Sequence, residues 1–273
     1  MALSARLASF YFAYFAYTAA WVAYFPLYLA GRGLDGGALA VVLALPQIAR
    51  IFAPAGWGWI ADRTGAQRGI VVLSCAAMAA GMALLPAVPG ALAIGALVAA
   101  VSLLSAGALP LVEAITLGSL ASGAARYGPI RLWGSVGFIA VVLAGGAWLD
   151  IGGVRVLPAA LAAFSLFALA AAAGFPASRA PVAGGAGGFR ITGAARSLIA
   201  AGFLMAAAHG ALYAFLTLHL KRLGYSGTAI GVFWTLGVLA EIAVFACLPQ
   251  LFRRFSLPQI LLASLGCAVV RFS

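Results

Sequence analysis

Apolar stretches long enough to cross a bilayer recur from one end of the chain to the other. Eight complete runs are bounded by glycine, proline or charge, at 7–30, 38–60, 69–86, 91–119, 129–149, 154–175, 196–219 and 228–251. A ninth begins near Pro258 and meets the last residue, Ser273. A membrane helix needs about 20 apolar residues. Inside lipid every backbone polar group must be satisfied internally, so only helices and closed barrels span. The two-residue alternation of a barrel strand is absent here. The expected fold is therefore an all-α membrane protein. Composition agrees, with 65% hydrophobic and 8% charged residues. A soluble domain has roughly 45–50% apolar and about 25% charged residues. A soluble enzyme, a disordered chain and a nucleic-acid-binding domain are excluded on that ground. The net charge of +11 is spread thinly between apolar runs, so it reads as a topology signal, with no nucleic acid as partner. The first run, Leu7 to Ala30, is too long for the roughly 7–15-residue core of a signal peptide, so it reads as a retained span.

Loop arginines and lysines set the expected orientation. One side collects Arg6, Arg63, Arg68, Arg126, Arg179, Arg190, Arg196, Arg253 and Arg254. The other collects Arg32, Arg155, Lys221 and Arg222. The excess places the N-terminus in the cytoplasm of a multi-pass protein of the inner (plasma) membrane. The stretch PASRAPVAGGAGGFRITG, from Pro176, is rich in small residues and proline and predicts a flexible cytoplasmic linker. The expected organisation is a six-helix bundle over 1–175, a linker over 176–195 and a partial second bundle over 196–273. An ungapped shift of 191 positions supports this division. It superposes Gly33 on Gly224, Gly36 on Gly227, Ala38 on Ala229, Leu45 on Leu236 and Arg63 on Arg254. Parallel repeats of this kind are one transporter design. Cys75, Cys247 and Cys267 lie in apolar runs at spacings that fit neither a disulfide framework nor a zinc site. No metal and no cofactor is expected.

The loop after the second run reads Gly58-Trp59-Ile60-Ala61-Asp62-Arg63-Thr64-Gly65-Ala66-Gln67-Arg68. A positive-inside turn explains its arginines and Gly65, but not Gly58 or Asp62. The string resembles the signature G-x-L-A-D-R-x-G-R-[RK]-x of the major facilitator superfamily, at Gly58, Ala61, Asp62, Arg63, Gly65 and Arg68. It departs from it at Trp59, Ile60, Ala66 and Gln67. The resemblance implies a major facilitator fold, in which Asp62 and Arg63 latch the cytoplasmic side. That superfamily has twelve helices. The resemblance therefore implies that helices 10–12 are missing from this chain, that it is a fragment or decayed carrier, and that it does not transport alone. The whole carrier is expected to be a monomer.

Six ionisable residues lie inside apolar runs: Arg50, Glu113, Arg131, His209, Glu241 and Arg271. A charge at the bilayer centre costs roughly 2.5–3.5 kcal/mol on insertion scales, so such groups pair or line a wet cavity. At about 1.5 Å per residue, Arg50 and Glu241 fall about 15 Å from the cytoplasmic end, near the midplane. Internal salt bridges that merely pin helices are the alternative. The segment Pro110-Leu111-Val112-Glu113, followed by Tyr127-Gly128-Pro129-Ile130-Arg131-Leu132-Trp133-Gly134-Ser135-Val136-Gly137-Phe138, resembles the lactose permease branch of proton–sugar symporters. There a Glu and an Arg pair and bind substrate, at the spacing of Glu113 and Arg131. A tryptophan stands in that branch where Phe138 stands here. Glu241 and Arg271 match buried charges of the same branch. Residues 209–215 and 236–242, with Pro46-Gln47-Ile48-Ala49-Arg50, are similar to the phenylpropionic acid permease branch.

These resemblances imply a secondary active transporter that takes up a small organic acid with protons. Three embedded arginines against two glutamates leave one positive charge in surplus, which suits a carboxylate with an apolar or aromatic body. Arg131, Glu113, Phe138, Tyr213, Arg50 and Arg271 are the expected substrate contacts. Glu241, His209 or Glu113 would carry the proton. The cytoplasmic gate would be Gly58, Asp62, Arg63, Gly65 and Arg68. A sugar or nucleoside symporter is the alternative substrate class. An intramembrane enzyme is disfavoured, because neither H-E-x-x-H nor G-x-S-x-G occurs. His219 reads as interfacial. The aromatic series of the first run (Tyr11, Tyr14, Phe15, Tyr17, Trp21, Tyr24, Phe25, Tyr28) reads mostly as packing and interfacial belt, with some lining the cavity.

Overall fold

The computed structural model describes residues 3–119, 127–176 and 192–272. Arg126, Arg179, Arg190 and linker positions 177–191 lie outside the described residues. Every regular element among the described residues is helical. In chain order they are α1 (Leu3–Gly31), α2 (Gly36–Thr64), α3 (Gln67–Leu84), α4 (Gly90–Ser105), α5 (Ala108–Ser119), α6 (Tyr127–Gly152), α7 (Leu157–Ala173), α8 (Gly193–Arg222), α9 (Gly227–Arg254) and α10 (Leu257–Phe272). A 3-10 turn, Leu85–Ala87, follows α3. Among the described residues six stretches are long and apolar enough to cross a membrane: Gly36–Thr64, Gln67–Ala87, Gly90–Ser119, Tyr127–Gly152, Arg196–Arg222 and Gly227–Val244. α7 and Pro258–Arg271 are apolar but shorter. Apolar side chains point outward as well as inward. Leu92, Ile151 and Val270 are 90%, 86% and 78% exposed, as a surface facing lipid requires.

α1 lies at the centre, packed against α6 and α7 and touching α8. Ala13, Ala16, Ala19, Ala20 and Ala23 are all buried, and their small side chains let neighbouring helices close on α1 from several directions. Tyr17, Trp21, Phe25 and Tyr28 stack at successive steps of four, four and three residues along one face of it. α3 packs against α7 and α4, and α2 against α4. α9 packs on α6, joining the later helices to the earlier group.

The fourth apolar run is expected as one span and keeps that length, Gly90–Ser119, but its helix is interrupted between α4 and α5. Pro110 is the local cause. It has no N–H to give the carbonyl four residues back, and its ring crowds that carbonyl. Two carbonyls at the break find side-chain donors instead. Trp57 Nε1 of α2 donates to the Leu103 carbonyl at 2.7 Å. Ser74 Oγ of α3 donates to the Leu104 carbonyl at 2.9 Å. Gly107 leaves room for the indole, since a Cβ there would lie 2.7 Å from Trp57 Cβ. Replacing Trp57 with Phe keeps the ring and removes the donor. It is expected to destabilise the protein by about 1–2 kcal/mol, read as a lower melting temperature in detergent. Replacing Trp59, whose indole lies under Arg63, should leave melting unchanged and serves as the control.

The shift of 191 positions superposes two turns that are built alike. Gly33 and Gly224 both take positive φ, 82° and 85°. Leu34 N–H donates to the Leu29 carbonyl at 3.2 Å, and Gly33 N–H to Ala30 at 3.0 Å. Tyr225 N–H donates to Leu220 at 3.1 Å, and Gly224 N–H to Lys221 at 3.1 Å. Each pair is the double bond of a Schellman stop, which needs a left-handed residue and so favours glycine. The next helix then starts on Asp35 in one case and Ser226 in the other. These accept from Ala38 N–H at 2.7 Å and from Ala229 N–H at 3.1 Å.

Candidate functional site

A cavity of about 1140 Å³ opens between the earlier helices and α8–α10. Its wall includes Arg50 of α2, Arg131 and Phe138 of α6, His209 and Tyr213 of α8, Glu241 of α9 and Arg271 of α10. Five of the six ionisable residues singled out in the apolar runs thus meet in one space. Glu113 does not line it. It sits, half-buried, five residues beyond the start of α5.

On α6, Arg131, Ser135 and Phe138 lie at i, i+4 and i+7, so one face of the helix carries a charge, a hydroxyl and a ring to the cavity. The Arg131 guanidinium lies 3.9 Å from the centroid of Phe15 and 5.6 Å from that of Tyr11, both on α1. Arg131 and Glu113 do not form the ion pair that the resemblance to the lactose permease branch implies. The guanidinium faces aromatic rings instead, a partnership that holds it in place without neutralising its charge. Gly134 and Gly137 follow Arg131 at i+3 and i+6, and packing explains both. A Cβ on Gly134 would sit 2.8 Å from Arg131 Nη1 and 2.8 Å from Phe15 Cδ2, so the glycine makes the space in which the two meet. A Cβ on Gly137 would collide with the Phe12 carbonyl oxygen of α1, so this glycine lets the two backbones touch.

On α9, Trp234 and Glu241 are seven residues apart and share the cavity face. Trp234 Nε1 donates to Thr217 Oγ1 at 2.9 Å, which fixes the buried indole against α8. Tyr213 stacks on it, with centroids 6.0 Å apart and planes 15° from parallel. Phe138 approaches the same indole at 6.4 Å. His209 lies one helical turn before Tyr213, with ring centroids 6.0 Å apart, and its Nδ1 bonds the Met205 carbonyl at 2.9 Å. The cavity therefore combines an aromatic corner with a charged wall. Trp234 and Thr217 were not singled out in the sequence. The available signal was the seven-residue spacing from Trp234 to Glu241. Phe15 and Trp21 of α1 also reach the cavity, so part of that helix's aromatic series faces it.

The loop motif lies apart from the cavity. Gly65 ends α2 in the left-handed region at φ 66°, and its N–H donates to Ala61 at 2.8 Å. Arg63 packs over the Trp59 ring at 4.0 Å. Arg68 Nη2 donates to the Ala173 carbonyl at 2.5 Å, and Arg6 donates to the neighbouring Gly174 carbonyl. Both cations thus sit at the C-terminal end of α7, where carbonyls and helix dipole favour positive charge. Asp62 is exposed and has no ion-pair partner among the described residues. A Cβ on Gly58 would meet nothing within 4 Å there. No group of His, Cys, Asp or Glu suited to a metal ion occurs among the described residues.

Residues 4–273 match the model of the MFS_1-like family. The chain belongs to that family. It is 34% identical over 156 residues to a probable 3-phenylpropionic acid transporter of Escherichia coli, covering 54% of this chain and 40% of that protein. It is 30% identical over 284 residues to a maltose permease of Geobacillus stearothermophilus, covering 98% of this chain and 71% of that protein. The crystal structure of the nucleoside transporter NupG superposes with a TM-score of 0.77 at 19% identity, over 93% of this chain and 69% of that one. The fold of this MFS_1-like chain is accordingly the all-α major facilitator fold. Against the phenylpropionic acid transporter, the match spans less than half of the relative's length. These relatives are transporters and not enzymes, the class to which the sequence points.

Proposed function

We propose that this MFS_1-like chain forms the substrate cavity of a proton-coupled secondary transporter for a small organic acid with an aromatic body. The convergence of Arg50, Arg131, His209, Glu241 and Arg271 on one cavity of about 1140 Å³ carries the reading. Charges this deep are retained in membrane helices chiefly for solute or proton pathways. In this reading Arg131 meets the carboxylate, with Arg50 and Arg271 adding positive potential. Phe138 and Tyr213 contact the ring. Glu241 or His209 carries the proton, and Glu113, outside the cavity wall, keeps a proton-coupling role only. Residues 1–175 and 196–273 rock about the cavity, joined by the linker 176–195. Gly58, Asp62, Arg63, Gly65 and Arg68 gate the cytoplasmic side. The N-terminus lies in the cytoplasm, the membrane is the inner one, and the working carrier is a monomer in lipid.

The phenylpropionic acid transporter favours the aromatic acid. The maltose permease match, which covers almost the whole chain, favours a sugar as the second reading. Uptake by membrane vesicles that hold the whole carrier, under an imposed pH gradient, separates them. Phenylpropionate, maltose and a nucleoside are supplied in turn. Phenylpropionate is expected to accumulate, and collapsing the gradient should abolish accumulation. Accumulation of maltose alone would replace the acid by the sugar. Equal uptake with and without the gradient would remove proton coupling.

A further inference from the structure

At its C-terminal end α6 carries Asp150, a water-facing acid that no part of the cavity uses. Its carboxylate binds the start of α9. Oδ1 accepts from Gly227 N–H at 2.6 Å, and Oδ2 from Thr228 N–H and Thr228 Oγ1, both at 2.9 Å. Lys221 Nζ, at the end of α8, lies 3.8 Å from Oδ1. The opening N–H groups of a helix have no partners of their own, and α9 supplies no acid in its first turn. Ser226 takes the Ala229 N–H through its hydroxyl and the Ile230 N–H through its carbonyl. Asp150 takes the remaining two. The N–H groups of Gly227, Thr228 and Ala229 are therefore all satisfied, two of the three by a side chain from a different helix.

Beneath this contact α6 and α9 touch backbone to backbone. A Cβ on Gly146 would strike the Gly227 carbonyl oxygen, one on Gly227 the Gly146 oxygen, and one on Gly231 the Val142 oxygen. Tyr24 of α1 donates to the same Val142 carbonyl. α6 bears Arg131 and Phe138, and α9 bears Trp234 and Glu241, so the seat of α9 on α6 sets the gap between the two charged and ringed faces. The α2 start, 191 positions before that of α9, receives no acid from another helix among the described residues. At the opposite end of α2, Asp62 makes no ion pair among the described residues. The contact described here lies at the Asp150 end.

We infer that Asp150 is a positioning residue: its carboxylate seats the N-terminus of α9 on α6 and holds that end of the cavity shut. The inference rests on the alternating-access reading above, in which this end faces away from the cytoplasm. Charge-assisted bonds to a helix start are among the stronger non-covalent contacts, and they break as a unit when the two helices separate.

The test reads which side of the membrane reaches the cavity. Ser135→Cys places a thiol on the cavity face of α6, and a membrane-impermeant maleimide is applied to right-side-out and inside-out vesicles. Labelling of the parent, which carries Cys247 and Cys267, is subtracted. Asp150→Ala, which removes three charge-assisted hydrogen bonds, is expected to shift the ratio of labelling at least about tenfold towards the Asp150 side, since one such bond alone accounts for about that factor. Asp150→Glu, which keeps the carboxylate, should stay near the parent. A merely structural role would lower protein abundance and labelling from both sides together, leaving the ratio unmoved. An unchanged ratio in Asp150→Ala overturns the inference. Should that variant fail to accumulate, Thr228→Val removes one bond only and must shift the ratio the same way. No shift there overturns it equally. Labelling of Ser135→Cys from neither side would sink the cavity reading itself, and the Asp150 assignment with it.

Discussion

In the whole carrier, Arg131→Ala abolishes uptake of the carboxylate solute, by about 100-fold or more, while protein abundance in the membrane stays within about twofold of the parent. Truncating one partner of a buried charge–charge contact costs about 2–5 kcal/mol, and each 1.4 kcal/mol is tenfold. Abundance survives because the guanidinium makes no ion pair with Glu113 that its loss would leave broken. It lies against the rings of Phe15 and Tyr11, which remain packed around the gap. Arg131→Lys is expected to recover little. An ammonium carries the charge but not the flat face that stacks on Phe15, and it hydrates more strongly. Uptake rates normalised to immunoblot abundance give the measurement. Normal uptake by Arg131→Ala would remove this residue from the site. A parallel loss in Glu113→Gln with normal uptake in Arg131→Ala would move the carboxylate site to α5.

Gly137→Val prevents the protein from reaching its folded form. The added Cβ would occupy the place of the Phe12 carbonyl oxygen, which belongs to the backbone of the central helix and cannot rotate away. Overpacking a core costs about 1–3 kcal/mol where side chains can yield, and more where backbone must move. α1 is the helix on which α6 and α7 pack, so pushing α6 off it disturbs both buried clusters. The expected readout is loss of monodisperse protein in detergent. Gly58→Val makes the comparison sharp, because a Cβ there meets nothing among the described residues and that variant should purify normally. Equal yields of the two variants would show that the α1–α6 approach is looser than the structure has it.

The membrane architecture was legible because apolar length is a one-dimensional property, and lipid leaves few other solutions for it. The convergence of embedded charges was legible for a related reason, since a charge in lipid demands company and company demands a cavity. What the sequence could not give was the choice of partner. Arg131 has both a carboxylate, Glu113, and a ring, Phe15, as candidates by spacing and depth, and only the packing of α1 decides for the ring. The break between α4 and α5 was hidden in a run whose composition is continuous. Pro110 announces it, but a proline inside an apolar span is equally compatible with a gentle kink. Asp150 went unnoticed because orientation is read from arginine and lysine, and an acid at a span end carries no weight in that count. Its role appears only when α9, 77 residues later in sequence, is laid against α6.

The glycine crossing of α6 and α9 has a mechanical consequence. Most packed helices interlock, with the side chains of one seated in the grooves of the other, and sliding must lift every knob from its hole. At Gly146, Gly227 and Gly231 the two backbones lie in direct contact, while further along the pair Phe138 and Trp234 meet side chain to side chain. The glycine end can therefore turn with fewer side chains to clear, and there the polar bonds of Asp150 are what must break first.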